Sequence, residues 1–199
     1  PGDGILANDP YLGGVHLNDI TLISPVHHEG ELFGYLACLA HHVDVGGGAP
    51  ASIGAFNEVF QEGIIIPGVK LVARGEIDDD VFRLVLAQIR SKRETAGDFR
   101  AQVAANNTGR RRLQLLVDRL GPETVRFYMN ELLDYTRRRT QSSIAKLPKG
   151  SFSADGYVDN DGFTDHPVHL AATVTIADDA VEFDATGSDR QRRAPANST

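Results

Sequence analysis

The chain has 199 residues, 41% of them hydrophobic and 24% charged, the balance of an ordinary globular protein able to bury a real core. Its formal net charge is −7, and its longest basic runs, Arg110-Arg111-Arg112 and Arg137-Arg138-Arg139, are too short for a concentrated positive face, which argues against a nucleic-acid partner. No apolar stretch approaches the ~20 residues that cross a bilayer, and no signal-peptide succession opens the chain. No membrane partner and a cytoplasmic location are therefore expected.

The sequence starts at Pro1 without a Met and runs out through residues 190–199 without a stop signal, so it reads as a piece of a longer polypeptide. The first dense segment is Asn8-Asp9-Pro10-Tyr11-Leu12-Gly13-Gly14-Val15-His16-Leu17-Asn18-Asp19. Two apolar, partly β-branched runs follow at residues 20–26 and 32–39. With His27-His28-Glu29-Gly30-Glu31 between them they predict a β-hairpin with a loop of about five residues. Cys38 is the only cysteine, which excludes an internal disulfide, and within Tyr35-Leu36-Ala37-Cys38-Leu39-Ala40 it reads as a small core residue. The second dense segment, Ala40-His41-His42-Val43-Asp44-Val45-Gly46-Gly47-Gly48, comes next.

Residues 50–67 read as a loop with a short strand at Ile64-Ile65-Ile66. A helix is predicted over residues 77–90, where Asp78-Asp79-Asp80 suits an N-terminus and Val81, Leu84, Val85 and Ile89 recur at helical spacing. A longer helix over 95–120 carries Phe99, Val103, Leu113, Val117 and Leu120 on one seam until Gly121-Pro122 ends it. The next helix, over 123–146, has Val125, Met129, Leu132, Leu133 and Thr136 as its apolar stripe, with Arg137, Arg138 and Arg139 facing out. Residues 151–158, 168–176 and 181–183 alternate apolar and polar between turn compositions and predict a small antiparallel sheet. The expected class is α+β: a β-rich segment over 1–76, a helical one over 77–147, and a β segment over 148–199.

The hairpin gives the two dense segments their meaning. Antiparallel strands return the chain to its starting level, so His16 and Asp19 before the first strand meet His41 and His42 at the end of the second. Imidazole and carboxylate beside tight glycine turns suit a divalent cation with a position left open for water. Successive strand residues face opposite ways, so His41 is taken as the ligand, with His16 and Asp19, while His42 and Asp44 stand behind it or contact substrate. The bland alternative is that Asp9, Asp19 and Asp44 cap turns and the histidines fill polar pockets. Glu62, with Glu58, is a candidate general acid or base, although exposed carboxylates are commoner. Asp98, Gln102, Asn106 and Gly109 form a polar stripe on the long helix, which reads as a solvated face. His27 and His28 are expected in the hairpin loop, exposed to solvent, and His166 and His169 carry no partner signal. Gly46-Gly47-Gly48 lacks the Lys-Ser/Thr of a phosphate loop, so no ATP site is expected here.

Asn8-Asp9-Pro10-Tyr11-Leu12-Gly13-Gly14 with His16 and Asp19, then Ala40-His41-His42-Val43-Asp44-Val45-Gly46-Gly47, strongly resemble the hydantoinase B/oxoprolinase family. Phe60-Gln61-Glu62-Gly63, Gly97-Asp98, Arg100-Ala101-Gln102, Ala104-Ala105-Asn106 and Phe183-Asp184-Ala185-Thr186-Gly187-Ser188 extend the likeness over nearly the whole chain. Ser188-Asp189-Arg190 departs from that family's commoner ending. The resemblance implies a fragment of the catalytic half of an ATP-dependent enzyme acting on cyclic amides such as hydantoins or 5-oxoproline. An A-type partner would use the ATP to phosphorylate the substrate's carbonyl oxygen, so a hetero-oligomer is implied. By position, His16, Asp19 and His41 match the metal-ligand pattern of related lactamases and ketone carboxylases, with a further carboxylate ligand implied before Pro1. The ligands are too mixed in hardness to choose among Zn²⁺, Mn²⁺ and Fe²⁺. Two rival expectations stand beside this one: a carboxylase component of the acetone or acetophenone type, and a non-catalytic assembly module.

Overall fold

A computed structural model describes residues 2–52, 54–195 and 197; the expectations that touch Pro1, Ile53 and the last residues of the chain fall outside these. Strands β1 (Gly4–Ala7), β2 (Asp19–His28), β3 (Glu31–His41), β4 (Pro67–Ala73) and β5 (Glu76–Ile77) form one sheet in the order β3-β2-β1-β4-β5. Every neighbouring pair is antiparallel. Helices α1 (Asp79–Ala87), α2 (Lys92–Leu120) and α3 (Pro122–Ile144) follow, then β6 (Gly150–Val158), β7 (Val168–Ile176) and β8 (Val181–Asp184), an antiparallel sheet in that order. The α+β class is thus observed. The chain divides into two compact units at a boundary that falls within α2, one running to Leu115 and the other from Leu116 to Asn197.

In the first unit, strand alternation sends Leu6, Ile20, Leu22 and Leu71 to one face of the larger sheet. They share a core with Phe82, Val85 and Ile89 from the α1 region and Phe99 of α2. Helix α1 begins where expected, because the Asp78 carboxylate accepts from the Asp80 and Val81 backbone N–H groups.

Several expectations need correction. The hairpin loop is two residues, not five. Glu29 and Gly30 have φ of 51° and 86°, the all-positive geometry of a type I′ turn, whose twist suits the flanking strands. His27 and His28 therefore lie within β2, opposite Leu32 and Glu31, and are half-buried rather than exposed. The strand register passes over Phe33 in a bulge, which turns that side chain inward. Cys38 is half-buried. Ile64-Ile65-Ile66 stays outside the ladder because its backbone is satisfied elsewhere: Ile64 N–H donates to Val45 O, and Ile66 N–H to the Asn8 side chain. The strand starts only at Pro67.

The polar stripe of α2 is not a solvated face, for Gln102 and Asn106 are only 3% and 6% exposed. Conversely, the apolar stripe of α3 is covered only at Val125; Met129, Leu132 and Leu133 are exposed, as is Leu120 at the end of α2. Among the described residues no helix is long and apolar enough to cross a membrane.

Candidate metal centre

The first dense segment folds as a chain of local caps. Asp9 accepts from Tyr11 N–H and begins a 3₁₀ turn, Pro10–Leu12, which Gly13 ends at φ 107°. Asn8 beneath it is fully buried, and its amide donates to Leu17 O (2.6 Å) and Ile64 O (2.9 Å). The next turn closes when Asp19 N–H donates to His16 O at 3.0 Å. Asp19 then opens β2 directly opposite His41, the last residue of β3.

Side chains of opposite strand residues meet, and here they converge on one carboxylate. His41 Nδ1 lies 2.7 Å from Asp19 Oδ1, and His16 Nδ1 lies 2.9 Å from Asp19 Oδ2. His16 also donates its backbone N–H to Oδ2 at 3.2 Å. The two imidazole rings stand edge to face, 5.9 Å apart. One potential ligand atom from each of His16, Asp19 and His41 lies within 4.8 Å of the other two. Burial alone would raise the Asp19 pKa, but the hydrogen bonds from His41 and His16 outweigh it and hold the carboxyl below the ordinary range. Both imidazoles are largely exposed while Asp19 is mostly covered, so the group is open on its outer side. Val15, Leu39 and Val43, near His16 and His41 in sequence, are exposed as well.

Two imidazoles and an ionised carboxylate at this spacing fit a divalent cation of the Zn²⁺, Mn²⁺ or Fe²⁺ kind, with coordination positions left for water or substrate. A neutral imidazole can turn its lone pair inward by carrying its proton on the other ring nitrogen.

His42 faces the opposite way from His41, as strand alternation requires, and is 1% exposed. Its ring packs on Phe99 with centroids 4.8 Å apart, and its Nε2 meets Gln102 Oε1 at 3.1 Å. Its Nδ1 is buried with no hydrogen-bond partner among the described residues. Burial, reinforced slightly by His41, holds its pKa below the usual histidine value against the opposing pull of Gln102 and Asp98. Asp44 lies outside the three-residue group. Its buried carboxylate accepts from Gly46 N–H (2.6 Å) and Ala51 N–H (3.3 Å) and pairs with Arg90 at 3.3 Å. The Arg90 guanidinium also donates to Gly46 O, Gly47 O and Ala49 O, clamping the glycine loop. Gly46 and Gly47 have φ of 90° and 77°, which an L side chain rarely adopts. Glu62 also lies outside the group. It is half-buried, its backbone borders Gly47, and its carboxylate has no hydrogen-bond partner among the described residues.

Comparison with known proteins decides the family, for the family model described as Hydantoinase B/oxoprolinase matches residues 1–199. The chain belongs to the hydantoinase B/oxoprolinase family. A relative from Pseudomonas sp. (strain NS671), named as the putative B-type component of a D-/L-hydantoinase, is 31% identical over 196 residues, covering 96% of this chain and 33% of its own length. The crystal structure of the ATP-dependent caprolactamase from Pseudomonas jessenii superposes with a TM-score of 0.82 at 34% identity, over 92% of this chain and 32% of that one. A nucleotide-free acetone carboxylase structure, at 24% identity, shares the fold with a TM-score of 0.90 over 99% of this chain and 28% of that one. The chain thus spans about a third of the length of these hydantoinase and caprolactamase relatives, and less than a fifth of the 5-oxoprolinases it also matches.

Asn8 and Asn18, whose amides tie the first dense segment to neighbouring backbone, lie inside that segment but were not read as functional residues. Arg90, 46 residues from Asp44, carries no local signal at all.

Proposed function

We propose that this chain is part of the catalytic half of an ATP-dependent cyclic amide hydrolase that opens a hydantoin or lactam ring, with His16, Asp19 and His41 holding a divalent cation. The observation that carries the reading is the convergence of those three side chains, with ligand atoms within 4.8 Å of one another, at the open end of a hairpin. Lewis acidity toward an acyl carbon and a water nucleophile at neutral pH are the chemistry a divalent cation supplies in such a setting. Zn²⁺ and Mn²⁺ suit the ligands, and Fe²⁺ is admissible. Asp19, ionised at neutral pH, balances the cation's charge. His16 and His41 would be its other ligands from this chain, beside the further carboxylate implied before Pro1, and would leave the outer side to substrate, with the exposed Val15, Leu39 and Val43 as candidate contacts for its ring. His42 and Asp44 support the centre from behind, His42 against Gln102 and Asp44 with Arg90 on the glycine loop. Glu62, whose carboxylate is otherwise uncommitted, is the candidate proton carrier at the edge of that loop.

The ATP would be used by a hydantoinase A-type partner, a separate chain or a further domain, which phosphorylates the substrate's carbonyl oxygen before attack, in a cytoplasmic hetero-oligomer. The relative named as one component of a hydantoinase supports an assembly of this kind. The test is metal content by elemental analysis of the purified chain beside a His16→Ala/His41→Ala variant. Near one equivalent in the first and none in the second is expected. No metal in either after soaking with Zn²⁺ and Mn²⁺ would sink the reading.

A further inference from the structure

Two buried amides converge on backbone atoms next to the candidate ligands. Asn18, 8% exposed, sits beside Asp19 and is bound to His42 twice: its side-chain Nδ2 donates to His42 O at 2.8 Å, and its backbone O accepts from His42 N–H at 2.8 Å. This clasp continues the β2–β3 ladder one position past the Asp19–His41 pair, so it fixes the far side of that pair as Ile20 and Ala40 fix the near side. Gln102 reaches in from α2. Its Nε2 donates to Ile20 O (2.8 Å) and Cys38 O (3.0 Å), one carbonyl on each strand of the hairpin, while its Oε1 meets His42 Nε2. Because carbonyls only accept, the amide orientation is fixed, and the His42 proton must then sit on Nε2. One helix side chain thereby ties together the residue after Asp19, the residue after His41 and strand β3.

We propose that Gln102 and Asn18 are positioning residues for the metal centre, setting the separation of His41 from Asp19; this rests on the reading of His16, Asp19 and His41 as the cation site. Neither amide touches the ligand side chains in question, so each acts through the backbone that carries them. A purely structural role would lower stability and leave the affinity of the folded protein alone. A positioning role weakens the affinity itself, by about 10- to 100-fold for the loss of such a supporting contact.

The experiment measures Zn²⁺ and Mn²⁺ affinity of the folded chain, by competition with a chromophoric chelator, for Gln102→Leu, Gln102→Glu and Asn18→Ala. Gln102→Leu and Asn18→Ala are expected to bind about 10- to 100-fold more weakly at unchanged stoichiometry. Gln102→Glu should recover part of that loss, since a buried, protonated carboxyl keeps an acceptor for His42 and one donor for a strand carbonyl. Folded variants that bind as tightly as the parent overturn the proposal. If Gln102→Leu fails to fold, Asn18→Ala decides. Crystal structures of the same variants judge the positioning without any metal: a His41 Nδ1 to Asp19 Oδ1 distance widened from 2.7 Å supports it, and an unchanged one overturns it. Absence of metal from the parent chain together with widening in the variants would sink the cation reading and leave the positioning role standing.

Discussion

Asp19 and His42 have their pKa values lowered for different reasons, and the reasons separate in pH. The folded chain binds a proton at His42 less readily than the unfolded chain, whose value is near 6.5. As pH falls below 6.5 the unfolded state takes up that proton first, and stability drops until the folded value is reached. Asp19 contributes stability that is fully present above its unfolded value of 3.8 and is lost as pH falls through its lower folded value. With chelator present, urea unfolding of the parent and His42→Gln should give a stability gap that narrows as pH drops from 6.5, whereas the gap to Asp19→Asn stays level until pH approaches 3.8. A His42→Gln gap independent of pH would mean that the imidazole is protonated as freely in the fold as outside it. The same two residues show what a sequence can disclose. His16, Asp19 and His41 come together because a hairpin reverses the chain between them, and the opposite aim of His42 follows from strand alternation alone. Gln102 looks like any amide on a solvated helix, because the Ile20 carbonyl it holds lies 82 residues away.

At the scale of elements, α2 and β2 fit because their repeats nearly match. Four helical residues rise about 6 Å and two strand residues about 6.7 Å. Gln102 and Asn106 can therefore address Ile20 and Leu22 in turn, and Asn106 Nδ2 donates to Leu22 O and Ser24 Oγ at 3.0 Å each. One turn on, Gly109 faces Leu36, and a Cβ there would come within 3.2 Å of its side chain. Gly97 on the same helix faces open space. Gly97→Ala should thus raise stability by up to about 1 kcal/mol through helix propensity, and Gly109→Ala by clearly less or not at all. Equal gains in denaturant titrations would mean that the helix does not press on β3 at Leu36. Phe99, fully buried among the sheet residues, should cost about 3–5 kcal/mol on change to Ala. The helices and strands β2, β3, β6 and β7 were legible because their periods run for several turns or alternations. Strand β1, four residues long, was not, nor was β4, whose opening Pro67-Gly68 has a turn composition, and neither was the two-residue turn, because Glu29 is not a residue type that announces a positive φ.

The largest mismatch between pattern and burial belongs to the second unit as a whole. Its α3 carries an apolar stripe of the kind that normally packs inward, yet Leu132 and Leu133 are 63% and 73% exposed, with Phe127, Tyr128 and Tyr135 also open. Strand β6 is exposed along its length, including Phe152 and Tyr157, and Phe183 on β8 is exposed as well. Periodicity reports that a face is apolar but not what covers it, which is why the stripe was legible and its exposure was not. Apolar patches of this extent are uncommon on soluble monomers and drive association. The purified chain should therefore self-associate as its concentration rises in sedimentation velocity, and should bind a hydrophobic dye. Leu133→Glu combined with Phe152→Glu should weaken both effects. Metal stoichiometry should not move, because His16, Asp19 and His41 all belong to the first unit. A parent chain that sediments as a monomer at every concentration and leaves the dye dark would show that this surface is not sticky in water. Loss of metal in the double variant would instead mean that the two units do not fold independently of each other's surfaces.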